Sequence, residues 1–213
     1  MIQTGGFTRL FFVLWLGFAG CVHGASTDID AHLTRDNASA EKLLRAAYAR
    51  TQVSVVYDGQ YQRIDYPMGD VPNNIGVCTD LIIRTYRQLG IDLQVRVHED
   101  MRNHFAQYPN LWGMTQPDRN IDHRRVPNLE RFFSRYGVTL PLSSRGEDYR
   151  PGDIVTWRLA NGLPHIGLIS ADLAKDGKTP LVIHNIGAGP QLENSLFEFT
   201  IVGHFRYFPE PKE

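Results

Sequence analysis

The sequence predicts an α+β fold, with N-terminal helices packed on a C-terminal antiparallel sheet. Two observations carry this expectation. Up to Tyr136, apolar residues recur at helical spacing. From Asp153 onward the character changes to short β-rich segments bounded by Gly, Pro or Asn. Helices first and strands later, rather than strict alternation, is the pattern of an α+β domain. With 213 residues and 42% apolar side chains, the chain suits one medium domain with an ordinary core.

The N-terminus reads as an address. Arg9 precedes an unbroken apolar run, Leu10 to Ala19, that is shorter than the about 20 residues a bilayer span needs. A charged start, a short apolar run and small residues after it describe a secretory signal over residues 1–24, with cleavage before Ala25. Phe18-Ala19-Gly20-Cys21 also resembles a lipoprotein cleavage box, so a lipid anchor at Cys21 is the alternative to plain cleavage. No second apolar run long enough to cross a membrane follows, so no transmembrane span is expected after processing. Export, with a periplasmic location, is the expectation. Residues 25–37 are polar and read as a linker, and residues 38–213 as a single domain.

Within that domain, Leu43, Leu44, Ala47 and Tyr48 predict a helix over 39–52, and Val53 to Tyr57 is a short β-branched run. Two prolines and two glycines make 65–76 a loop. A second helix begins near Cys78, with Leu81, Ile82, Tyr86 and Leu89 on one face, and stops at Gly90. Further helices are expected at 98–108 and 128–136, with an irregular segment between them. Strands are expected at 153–158, 165–170, 181–186 and 198–208.

The balance of 22 basic against 23 acidic side chains gives no basic excess and no nucleic-acid footprint. Removing residues 1–24 leaves Cys78 as the one cysteine of the body. In an oxidising compartment an odd cysteine is either buried and inert or kept for its reactivity. Cys78 stands where a loop gives way to a helix, and unpaired N–H groups at a helix start favour a thiolate. His165 and His184 each interrupt an apolar strand. His165, Gly167 and Ile169 share one strand face, as do Val182, His184 and Ile186. Thiol acyl transfer requires a cysteine, a histidine and a third polar group that orients the imidazole. Cys78 would attack, His165 would move the proton, and His184 would hold the His165 ring, with Asn185 the fallback on the opposite face. The oxyanion would meet the Cys78 N–H and a donor from the preceding loop.

The order C-T-D plus amphipathic helix, RPGDIVTW, PHIGLIS and LVIHN resembles the NlpC-type cell-wall peptidases of the papain-like superfamily. The resemblance covers about residues 60–205 and implies a papain-like fold, with Cys78, His165 and His184 on the three catalytic positions. Tyr66, in YPMGD, matches the place of an oxyanion tyrosine; Tyr57 and Tyr61 are also available. More narrowly, GVCTDLIIRTYRQLGIDLQ, NIDHRRVPNL, GDIVTW and HNIGAGPQLE are similar to a family of exported bacterial proteins of unknown function, the YijF type. Asp80 departs from the peptidases, which have Gly there, and extra helical material lies around residues 97–150. The activity implied is cleavage of an amide bond in a peptidoglycan stem peptide or another envelope peptide. The alternatives are a non-catalytic envelope binding protein with a degenerate site, and an acyl or peptidyl transferase using the same cysteine.

Within the insertion, Asn120 to Arg125 is either a solvated loop with charge pairs or a substrate loop. In the second reading Asp80 and Asp122 join it, and Arg124 or Arg125 clamps a carboxylate through bidentate hydrogen bonds. No cofactor or metal is implied. Cys78, His165, His184 and His204 lack the paired short spacing of zinc motifs, and Arg102 stands where an H-E-x-x-H motif from His98 would need its second histidine. GAGP at 187–190 opens no helix, which argues against a phosphate loop.

Overall fold

A computed structural model describes residues 1–2 and 24–209. The signal segment and Cys21 lie outside the described residues. The chain divides into two units, residues 1–34 and 35–213. In the first, the described residues from Gly24 onward are helical. Helix α1 runs Gly24–Arg50, so the polar stretch at 25–37 is helical rather than irregular. After Gly24 that stretch holds no glycine or proline to stop a helix. No helix among the described residues is long and apolar enough to cross a membrane.

The second unit is α+β, its helices preceding most of the sheet. The short strands β1 (Val56–Tyr57) and β2 (Ile75–Gly76) pair in parallel and bring Tyr57 opposite Gly76. Helix α2 follows at Cys78–Arg87. Every residue from Cys78 to Tyr86 is buried, so α2 is covered all round rather than on one face. Its polar members are accordingly paired. Arg84 bonds Asp70 at 3.0 Å and takes the carbonyls of Val71 and Ile75, pinning the proline-rich loop to the helix. Helix α3 (Leu93–His104) starts before the residue 98 the apolar spacing suggested. The signal is a cap: Asp92 accepts from the N–H groups of Gln94 and Val95. Helix α4 spans Val126–Tyr136, with Pro127 in its first turn.

Strands β3 (Val138–Thr139), β4 (Ile154–Arg158), β5 (Pro164–Leu173), β6 (Pro180–Asn185), β7 (Pro190–Glu193) and β8 (Thr200–Arg206) form one antiparallel sheet in the order β3-β8-β4-β5-β6-β7. Strands β3 and β7 were not legible as strands, because two and four residues carry too little alternation.

Strand alternation divides the sheet into two unlike faces. Ile154, Ile166, Leu168, Ile183 and Phe205 join Leu81, Ile82, Tyr86, Leu129 and Phe133 in the core beneath the helices. Val155, Trp157, Ile169 and Val182 form a second, smaller core with Tyr149 and Leu196. The Trp157 Nε1–H is satisfied by the Leu196 carbonyl at 2.9 Å, which ties the segment after β7 onto this second face.

Candidate active site

His165 lies opposite Trp157, and His184 lies opposite Gly167, so both histidines belong to the second face. Residue 165 is diagonal to residue 184 across the β5–β6 pair, and the rings meet with His165 Nε2 2.8 Å from His184 Nδ1. Gly167 makes this approach available. A Cβ there would stand 2.8 Å from Val182 Cγ1 and 3.1 Å from His184 Cβ. Both histidines are 2% exposed. The outer nitrogen of His184, Nε2, faces Glu193 Oε2 at 2.9 Å and Ser195 Oγ at 3.1 Å.

These partners assign the protons. A carboxylate only accepts, so His184 Nε2 carries hydrogen toward Glu193, and the neutral ring must then accept at Nδ1. His165 therefore donates from Nε2 and keeps its lone pair on Nδ1. Among the described residues, that Nδ1 makes no hydrogen bond. Burial, with the neighbouring His184, holds the His165 pKa down at about 3, and burial also lowers that of His184 against the opposing pull of Glu193. The two imidazoles form a neutral hydrogen-bonded pair anchored by a half-exposed carboxylate. Glu193 and Ser195 went unnoticed in the sequence because β7 and the turn after it carry no periodicity; their signal is the short hairpin that brings them back beside His184.

Cys78 is the first residue of α2 and is 4% exposed. Asp80 accepts the Val77 N–H at 2.7 Å, which fixes the start of the helix. The sulfur meets the Tyr57 hydroxyl and the backbone of Ile166 and Thr79. The Ile166 N–H belongs to the peptide that joins it to His165; the sulfur thus meets the start of β5 from the face beneath the helices, whereas the His165 ring lies on the other face beside Trp157. Among the described residues no hydrogen bond joins the Cys78 thiol to either histidine. The helix start was expected to favour a thiolate. Burial outweighs it, and the thiol is pushed up to about 11. At neutral pH the resting site holds a thiol and an imidazole, not an ion pair.

The remaining candidates fall in three places. Tyr66 packs edge-on against His98 and under Arg119, away from the cysteine. Tyr57 stands at Cys78 instead, because the β1–β2 pairing draws it beside the residues leading into α2. Asp80 and Arg124 are not open substrate contacts. They are paired with each other through two hydrogen bonds, at 2.8 and 2.9 Å, both side chains almost fully buried. The Arg124 carbonyl further accepts from Thr79 Oγ1 at 3.0 Å. Asp122 is 2% exposed and accepts the Asp118 N–H. Arg125 alone of this group keeps an open guanidinium, stacked 3.9 Å over the Trp112 ring. Asn185 caps the turn at Gly187 N–H, and His204 lies between Asp153 and the Pro141 carbonyl, each with its own structural partner. No group of three or more His, Cys, Asp or Glu side chains placed to hold a metal ion occurs among the described residues.

The fold and site thus define an α+β protein with a buried helix-start cysteine beside a histidine relay on its sheet. The chain belongs to the family described as Domain of unknown function (DUF1287), which matches residues 44–207. It is 56% identical over 162 residues to the "Uncharacterized protein YijF" of Escherichia coli (strain K12), covering 75% of this chain and 78% of that protein.

Proposed function

We propose that the protein is an exported cysteine hydrolase of papain-like, NlpC-type architecture that cleaves an amide bond in a peptidoglycan stem peptide or a related envelope peptide. The observation that carries this reading is the relay Glu193–His184–His165. Its hydrogen-bond order leaves the base lone pair on His165 Nδ1, and the Cys78 sulfur meets the backbone of the next residue along the strand, Ile166. The S–H proton passes to His165 Nδ1 as the sulfur forms its bond to the carbonyl carbon. The carbonyl oxygen takes the negative charge against the Cys78 N–H and the Tyr57 hydroxyl. The C–N bond breaks as the imidazolium returns its proton to the leaving amine. Water, deprotonated by the same imidazole, then hydrolyses the thioester. The substrate class and the exported location rest on the resemblance and on the signal segment.

A second reading is a non-catalytic envelope binding protein. It is favoured by the thiol's burial and raised pKa. The test is the rate at which a small haloacetamide alkylates Cys78 against pH, in the mature protein and in His165→Ala. The hydrolase reading expects the wild-type rate at pH 7 to exceed the variant's by about a hundredfold, the size of a working general base. Equal rates overturn it. In that case Cys78→Ala should keep whatever ligand affinity the protein has.

A further inference from the structure

A separate cavity of about 250 Å³ lies between the end of α3, the loop around Trp112 and the turn before α4. Met101, Phe105 and Trp112 supply its apolar wall, and Asp122, Asn128 and Arg125 its polar one. These polar groups are incompletely matched within the protein. Asn128 is 1% exposed, and its Nδ2 donates to the Asp122 carbonyl at 3.0 Å. That carbonyl can only accept, so the amide orientation is settled, and the buried Asn128 Oδ1 is left with no partner. Asp122 uses Oδ2 for the Asp118 N–H; the Arg125 guanidinium is 3.8 Å from Oδ1, beyond hydrogen-bond reach. Burial raises the Asp122 carboxyl to about 6, the mark of an acid short of donors. The Arg125 guanidinium makes no hydrogen bond among the described residues, its contact with Asp122 being a 3.8 Å ion pair, while Trp112 packs against it.

One acceptor without a partner, and a carboxylate and a guanidinium joined only by a long ion pair, set beside an apolar wall, form the complement of an amino acid. We propose that this cavity binds a zwitterion of amino-acid size, as a free amino acid or the end of a short peptide. The ammonium lies between Asp122 Oδ1 and Asn128 Oδ1, the carboxylate on the Arg125 fork, and an apolar side chain against Met101, Phe105 and Trp112. The cavity owes nothing to Cys78, so this site stands or falls apart from the hydrolase reading.

The test is calorimetric titration of the mature protein with alanine, leucine and phenylalanine. The two halves of leucine, 3-methylbutylamine and 4-methylpentanoate, are titrated alongside. At least one of the amino acids should bind saturably, and each half-ligand should bind at least about tenfold more weakly than leucine, since each lacks one charged hydrogen-bonding group. Arg125→Gln, at a partly open position, should weaken leucine by about tenfold and leave the amine unchanged. Trp112→Ala should weaken all of them, and Cys78→Ala none. Absence of saturable binding by all three amino acids to folded protein overturns the proposal. So does a half-ligand that binds as tightly as leucine, or an Arg125→Gln variant that binds leucine unchanged.

Discussion

The two faces of the six-stranded sheet use the same strands for opposite purposes. The face beneath the helices is apolar and thickly covered, and the ion pair near Cys78, Asp80–Arg124, is sealed by mutual pairing. The other face carries a smaller core, and beside it a chain of polar groups that ends at a half-exposed carboxylate. The difference teaches where each kind of group can be tolerated. A charged group deep beneath helices must find its partner within the fold, because desolvation is severe there. A titratable pair can persist where the last member of its hydrogen-bond chain, Glu193, reaches water. Stability therefore resides mainly on the first face, and the hydrogen-bonded imidazole pair on the second.

Four changes would break or sharpen that contrast, taken from the largest effect downward. Arg124→Met strands the buried Asp80 carboxylate and loosens the start of α2. Urea unfolding should show a loss of about 3–5 kcal/mol, and a loss below about 1 kcal/mol would remove the pair from its structural role. Gly167→Ala places a methyl against Val182 and His184 on the relay face. Unfolding free energy should fall by about 1–3 kcal/mol, and alkylation of Cys78 should slow, because the His184 ring is pushed from its partner.

The third change concerns pH. The folded pKa of His165 lies at about 3, below its ordinary 6.5, so the unfolded chain binds this proton first as pH falls. Its contribution to stability is present above 6.5 and is lost progressively down toward pH 3. Asp122 works in the opposite sense: its carboxyl is raised from 3.8 to about 6, so it costs stability as pH rises through that window. The His165 part is isolated by comparing unfolding free energy against pH in wild type and His165→Phe. The wild-type curve should fall more steeply between pH 6 and 4; parallel curves would show that His165 titrates normally.

The smallest effect on stability is expected at Glu193→Gln. Its side chain is 47% exposed, so unfolding should move by no more than about 0.5 kcal/mol. The imidazole pKa of His184 should nevertheless drop further, read by NMR titration, because Glu193 opposes its lowering more than Glu198 does. An unchanged titration would detach the carboxylate from the relay.

Much of this was legible in the chain itself. Helix α2 announced its start at Cys78 and its stop near Gly90, and β4, β5, β6 and β8 were readable from alternation and flanking turn residues. Alternation also gave the strand-face companions of each histidine, Gly167 and Ile169 for His165 and Val182 for His184. Three things were decided only by the tertiary structure. Cross-strand register set His184 diagonal to His165 and brought Glu193 and Ser195 around to it, and register depends on partners distant in sequence. The β1–β2 pairing delivered Tyr57 rather than Tyr66 to the cysteine, through a contact between strands of two residues each that no periodicity reveals. Desolvation turned the expected thiolate into a thiol and turned Asp80 and Arg124 inward upon each other. Sequence determines which groups are available and which way a strand or helix presents them locally. Their charge state and their partners depend on how much water the assembled fold removes, and that quantity does not exist until the chain has folded.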